Sequence, residues 1–107
     1  MPITISRGAT DSTLDRIAEA LQDYQGEHPS AQIDLYRLNQ VSIRARIIDE
    51  HFRGMTRGER NKLVWTYFDR LSEEEQSDIT MLVLITPEEV AKSFANIEFE
   101  DPVPGVL

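Results

Sequence analysis

Between Phe52 and Trp65 the chain gathers Arg53, Arg57, Arg60 and Lys62 and ends on its only tryptophan. Guanidinium and ammonium groups recognise anionic partners through charge-assisted hydrogen bonds. A tryptophan beside them is the residue type that anchors interfaces. The chemistry on offer is therefore recognition rather than bond making, and Arg53, Arg57, Lys62 and Trp65 are the candidate partner- or nucleic-acid-binding residues. Arg60 has a rival role, because it falls near the buried stripe of a helix and can lie along the core to reach a strand carboxylate. The stretch stands out against its surroundings. Residues 41–62 carry five Arg and one Lys against three acids, whereas residues 63–107 carry one Arg and one Lys against ten, in a chain of net charge −8. Nucleic acid as a whole-surface partner needs a basic footprint, so this balance disfavours it.

Bond-making constellations are missing. The chain has no cysteine, which removes disulfides, thiolate metal sites and a cysteine nucleophile. His28 and His51 are its two histidines, and neither has another at i+3 or i+4 to make a helical metal pair. Gly54 and Gly58 stand four apart, which fits no phosphate-binding loop, and there is no Gly-x-Ser-x-Gly elbow. The run Glu73-Glu74-Glu75 opens a helix, where the helix dipole favours it. A non-enzymatic protein without a cofactor or metal is the expectation. Met1 to Gly8 lacks a basic region followed by an apolar run, and Met81 to Ile85 is too short to span a bilayer, so a cytoplasmic, reducing location is expected.

The elements that position these residues follow from periodicity. Residues 1–11 read as an arm or short edge strand, in which Ile3 and Ile5 alternate with polar neighbours. Ser12 caps a first helix whose apolar face is Leu14, Ile17, Ala18, Leu21 and Tyr24; Gly26 and Pro29 end it. Two strands follow. A three-residue loop from Asn39 to Val41 pairs Ile33 with Ile47 and Leu35 with Ala45, which keeps one face apolar. It sets Asp34 opposite Arg46 and Tyr36 opposite Arg44. Thr56 and Glu59 form the capping box of a second helix with the buried stripe Leu63, Val64, Tyr67 and Leu71, which leaves Trp65 on the opposite side. Ser72 and Glu75 cap a short third helix. Thr80 to Thr86 reads as a central strand covered on both faces. Thr86, Pro87 and Glu89 open a last helix with Val90, Ala91 and Phe94 on its apolar face. Residues 96–107, with two prolines, read as an extended tail that packs back through Ile97 or Phe99, or onto a neighbour. The expected fold is α+β: a single small domain over residues 12–95, in α-β-β-α-α-β-α order, with a three-stranded mixed sheet and helices on one side.

Phe52, Gly54, Thr56, Arg60, Asn61, Lys62 and Val64, spaced as Phe-x-Gly-x-Ser-x-x-x-Arg-His-Arg-x-Val, followed by a strand into Thr86-Pro87-Glu88-Glu89, resemble the BolA family. The resemblance covers residues 12–94. It implies a class II KH-like fold and a regulatory protein of the stress-response kind, whose basic motif touches DNA. It also implies a monothiol glutaredoxin as partner, with an iron–sulfur cluster shared between them. Two departures bear on that cluster. Asp78 stands where the family has a histidine ligand before the last strand, and the short loop between the first two strands holds neither Cys nor His. One hard carboxylate ligand without a nitrogen or sulfur companion makes a poor cluster site, so no shared cluster is expected. Asn61 also replaces the histidine of the basic motif. The leading expectation is a BolA-like interaction or regulatory domain. The alternatives are a nucleic-acid-binding module using residues 53–65 and a weak homodimer joined through the tail or an exposed strand edge.

Overall fold

A computed structural model describes residues 3–5 and 10–102. Four strands form one sheet in the order β1-β2-β3-β4: β1 (Ile3–Ile5), β2 (Gln32–Asn39), β3 (Ser42–Ile48) and β4 (Ile79–Ile85). Sheet and helices together make a small mixed α+β domain. The strand count exceeds the expected three because β1 pairs in parallel with β2, Ile3 beside Ile33 and Ile5 beside Leu35. The arm is thus part of the sheet at its described residues; residues 1, 2 and 6–9 lie outside the described part.

Helix α1 (Ser12–Glu27) is capped by Asp11 rather than Ser12, its Oδ1 accepting the Leu14 N–H at 2.8 Å. It runs through Gly26 to a cap at His28. The β2–β3 hairpin has the expected register, with Asp34 opposite Arg46 and Leu35 opposite Ala45. Its turn is tighter than expected. Asn39 pairs with Ser42, and a bulge between Arg37 and Asn39 absorbs the odd residue, so the faces stay sorted. Asn39 Oδ1 accepts the Val41 N–H at 2.9 Å and holds the turn.

From β3 the chain makes a 3₁₀ turn at Glu50–Phe52, then reverses at Gly54, whose φ of 82° favours glycine. Helix α2 (Arg57–Trp65) starts at the Thr56/Glu59 capping box, as expected, and tightens into a 3₁₀ turn at Thr66–Phe68. Helix α3 (Glu73–Ser77) starts at the Ser72/Glu75 box, also as expected. It leads into β4, which runs parallel to β3. Helices α1 and α2 pack on the sheet face made by Ile33, Leu35, Ile43, Ala45, Ile47 and Leu84, with Phe52 and Phe68 fully buried among them.

Three expectations need correction. β4 is an edge strand, not a central one: both of its faces are covered, but only β3 pairs with it. Its unbroken apolar run reports cover on two faces, which an edge strand can also have. The Thr86 capping box opens only a 3₁₀ turn, Pro87–Glu89, and Phe94 is 88% exposed rather than on a buried face. Residues 96–100 of the segment read as an extended tail instead belong to helix α4 (Phe94–Glu100), capped by the Ser93 side chain; residues 103–107 of that segment lie outside the described part.

Helix α4 lies on the sheet face opposite α1, so helices are not confined to one side. Phe99 packs with Tyr36, Val83 and Ile85, and Tyr36 Oη donates to the Phe99 carbonyl at 2.7 Å. Arg46, which the hairpin register paired only with Asp34, lies beneath this helix. It donates to Asp34 at 2.7 Å and Asn96 at 2.9 Å, contacts Glu100, and stacks its guanidinium over the Phe99 ring at 4.8 Å. Arg44 donates to Glu98 Oε2 at 3.0 Å. The alternating polar face of the hairpin is thus a buried polar layer under α4. Ile97, offered as a packing residue, is 56% exposed.

Candidate functional site

The two layers of helices leave a gap along the outer edge of β4. One wall is Met55 and the start of α2, with Arg57, Arg60 and Asn61; the other is Lys92 to Ala95, leading into the first residues of α4. The floor is Leu82 to Ile85. The cleft measures about 680 Å³. Its floor is main chain as much as side chain. The Ile85 carbonyl accepts from Asp49 N–H on the β3 side at 2.9 Å, which fixes the parity of the ladder. Met81, Val83 and Ile85 therefore turn their main-chain groups to β3, while Leu82 and Leu84 turn theirs into the cleft.

Arg60 builds the inner wall. It is buried; its Nη1 donates to the Leu84 carbonyl at 2.9 Å and its Nε to the Met55 carbonyl at 3.1 Å. Glu89 takes both terminal nitrogens, at 2.7 and 3.1 Å. The guanidinium lies over the Phe52 ring at 5.6 Å. Arg60, with a smaller contribution from the Thr86 N–H, holds the Glu89 carboxyl down at about 2. The expected rival role of Arg60 is thus the observed one, except that its acid stands in the turn after β4 rather than on a strand.

Arg57 and Lys92 both line the cleft; neither makes a close ion pair among the described residues, although Lys92 acts at longer range on Glu88. Glu89 is taken by Arg60, so the cleft is electropositive in a chain of net charge −8. Phe94 adds an exposed aromatic ring to the Lys92 wall.

Of the four expected site residues, only Arg57 lines this cleft. Arg53 is exposed and held between Glu50 and Glu88, at 2.8 Å from the latter. Lys62 is exposed on α2 away from the cleft. Trp65 is half-buried against the main core, its ring edge-on to Phe68 at 4.9 Å. The expectation that it faces away from the core fails because the helix tightens at Thr66. That brings Phe68 under the domain and Trp65 in beside it. Lys92 and Phe94 were missed as site residues. The first is an isolated charge, and the second had been assigned to a buried helical face.

Two other clusters lie outside this cleft. His28 and His51, far apart in sequence, meet with ring centroids 4.7 Å apart, and His28 stacks on Tyr24 at 4.1 Å. Tyr24 Oη in turn donates to the buried Asp49 at 2.5 Å. No group of three metal-ligating side chains stands together among the described residues. A second depression lies between the end of α1 and residues 66–70. Its side chains include Asp23, Glu27 and Asp69, and Tyr67 is pushed up to about 12 there by burial and by its bond to Glu27.

Asp78, expected from the resemblance to stand at a ligand position, is engaged elsewhere. Its carboxylate accepts from Arg37 at 3.2 Å, and its carbonyl accepts the Ile43 N–H. With Arg37 on it and no imidazole or thiolate beside it, this position does not fit a cluster ligand. No family model, curated protein or solved structure matches the chain.

Proposed function

We propose that this chain is a non-enzymatic, BolA-like interaction domain of the class II KH-like kind, working in the cytoplasm without a shared iron–sulfur cluster. The observation that carries the interaction reading is the cleft itself: an electropositive groove with an exposed aromatic wall and open main-chain groups along an unpaired strand edge. Such edges are templates for partner binding unless they are blocked. The family reading is supported by the Phe-x-Gly turn at Gly54, the Thr56 capping box, and an antiparallel hairpin joined through two helices to a parallel strand. A monothiol glutaredoxin is one protein partner this reading admits, held through protein contacts alone. The absence of a shared cluster rests on Asp78 being tied to Arg37. A visible circular-dichroism change on mixing with cluster-loaded glutaredoxin, lost in Asp78→Ala, would contradict it.

Affinity capture from native lysate tests the interaction reading, comparing the wild-type chain with an Arg57→Glu/Lys92→Glu variant. A protein retained by the first and lost by the second is the expected result. Equal retention by both, or none by either, counts against it. The same two cations favour a second reading, a nucleic-acid-binding module. That reading requires a mobility shift at low salt, weakening by about one log–log unit per phosphate contact as salt rises.

A further inference from the structure

We propose that the free edge of β4 takes an extended acidic segment of a partner protein as a fifth strand. The inference rests on the interaction-domain reading above and specifies what is bound and how. Exposed strand edges are ordinarily guarded by a lysine or proline on the strand, by a bulge, or by a covering element. β4 carries no charged residue and no proline, and among the described residues its outer edge is guarded where Arg60 occupies the Leu84 carbonyl. The Leu82 N–H and C=O and the Leu84 N–H remain directed into the cleft, and no strand among the described residues pairs with them. Main-chain groups at alternate positions along an edge match the carbonyls and amides of another extended chain. Phosphates offer only acceptors and would leave the Leu82 carbonyl without a donor.

The walls define the side chains that fit. Leu82 and Leu84 point to the α2 layer and Val83 and Ile85 to the α4 layer. Residues of an added strand alternate in the same way. Every second side chain thus meets Arg57, and the intervening ones meet Phe94 and Lys92. Arg57 and Lys92 make no close ion pair among the described residues, and Phe94 is 88% exposed. Charge complementarity selects acids toward Arg57; on the other wall Phe94 selects apolar residues, while Lys92 favours a segment that is acidic overall. The occupant is a peptide that alternates acidic and apolar residues.

A capped heptapeptide alternating glutamate and valine is the probe, titrated into isotopically labelled full-length chain. Binding should slow hydrogen exchange at the Leu82 and Leu84 amides by tenfold or more. The Arg57→Glu/Lys92→Glu variant should weaken binding by at least tenfold while keeping its melting temperature. A lysine–valine peptide should not bind. Three outcomes overturn the proposal: no binding at millimolar peptide, binding without slowed exchange at Leu82 and Leu84, or slowed exchange caused by a single-stranded oligonucleotide and not by the peptide. A partner captured from lysate and lost in the double variant, combined with unprotected Leu82 and Leu84, would remove strand addition and leave the interaction reading standing.

Discussion

Replacing Arg60 by methionine should unfold the domain more easily, while it also frees the Glu89 carboxylate beside the cleft. Methionine keeps most of the apolar stem over Phe52 but loses the donors to the Leu84 and Met55 carbonyls and the paired contact with Glu89. Hydrogen bonds to a charged donor contribute about 1.5–3 kcal/mol each. Here both carbonyls border a cleft that admits water, so the lower end applies to each. The Glu89 side chain is 40% exposed and rehydrates, so its contribution is discounted to about 1 kcal/mol. The expected loss at pH 7 is about 4 kcal/mol, read as a lower urea midpoint at unchanged slope. Acid adds a second signature. The folded carboxyl of Glu89 titrates near 2, below its ordinary 4.5, so its stabilisation is present above about 4.5 and disappears as pH falls through 2. Arg60→Met lacks that contribution at every pH. The gap between the two proteins should therefore narrow by about 1 kcal/mol between pH 5 and pH 2. A gap below about 0.5 kcal/mol at pH 7, within the ordinary range for surface substitutions, would refute the structural role assigned to Arg60.

Other outcomes follow from the same contacts. Arg46→Ala leaves Asp34 buried without its partner under α4 and should cost about 3–5 kcal/mol in urea unfolding; adding Asp34→Leu should recover much of the loss. Thr56→Ala removes the cap of α2 and should cost about 1 kcal/mol, with peptide binding unchanged in calorimetry. A chain ending at Asn96 loses Phe99 and uncovers Tyr36, Val83 and Ile85. It should melt lower and associate in light scattering; an unchanged melting temperature and monomer mass would contradict the docking of α4.

Much of the fold was legible because local signals agreed with one another. Capping boxes at Thr56 and Ser72 marked helix starts that the structure keeps, and the alternation of Ile33 and Leu35 against Ile43, Ala45 and Ile47 set a register that survived a different turn. What failed depended on distant parts of the chain. An unbroken apolar strand says that both faces are covered, not how many neighbours it has, so β4 was misplaced at the centre. Helix α4 was hidden because its helical phase starts afresh at Ser93, and its buried residues, Asn96 and Phe99, carry no strong apolar stripe. That second layer also explains Arg44 and Arg46: two of the cations in the basic middle of the chain serve the packing of α4. The site was only partly legible for the same reason. Arg57 was visible in the basic stretch, but Lys92 and Phe94 join it only once α4 folds against the sheet.

Competition measures the central claim most directly. The wild-type chain, loaded with whatever protein it retains from native lysate, is washed with the glutamate–valine heptapeptide or with its lysine–valine counterpart. The β4-edge account predicts release by the acidic peptide and retention under the basic one. A retained protein that stays bound under both, or leaves equally under both, would contradict it.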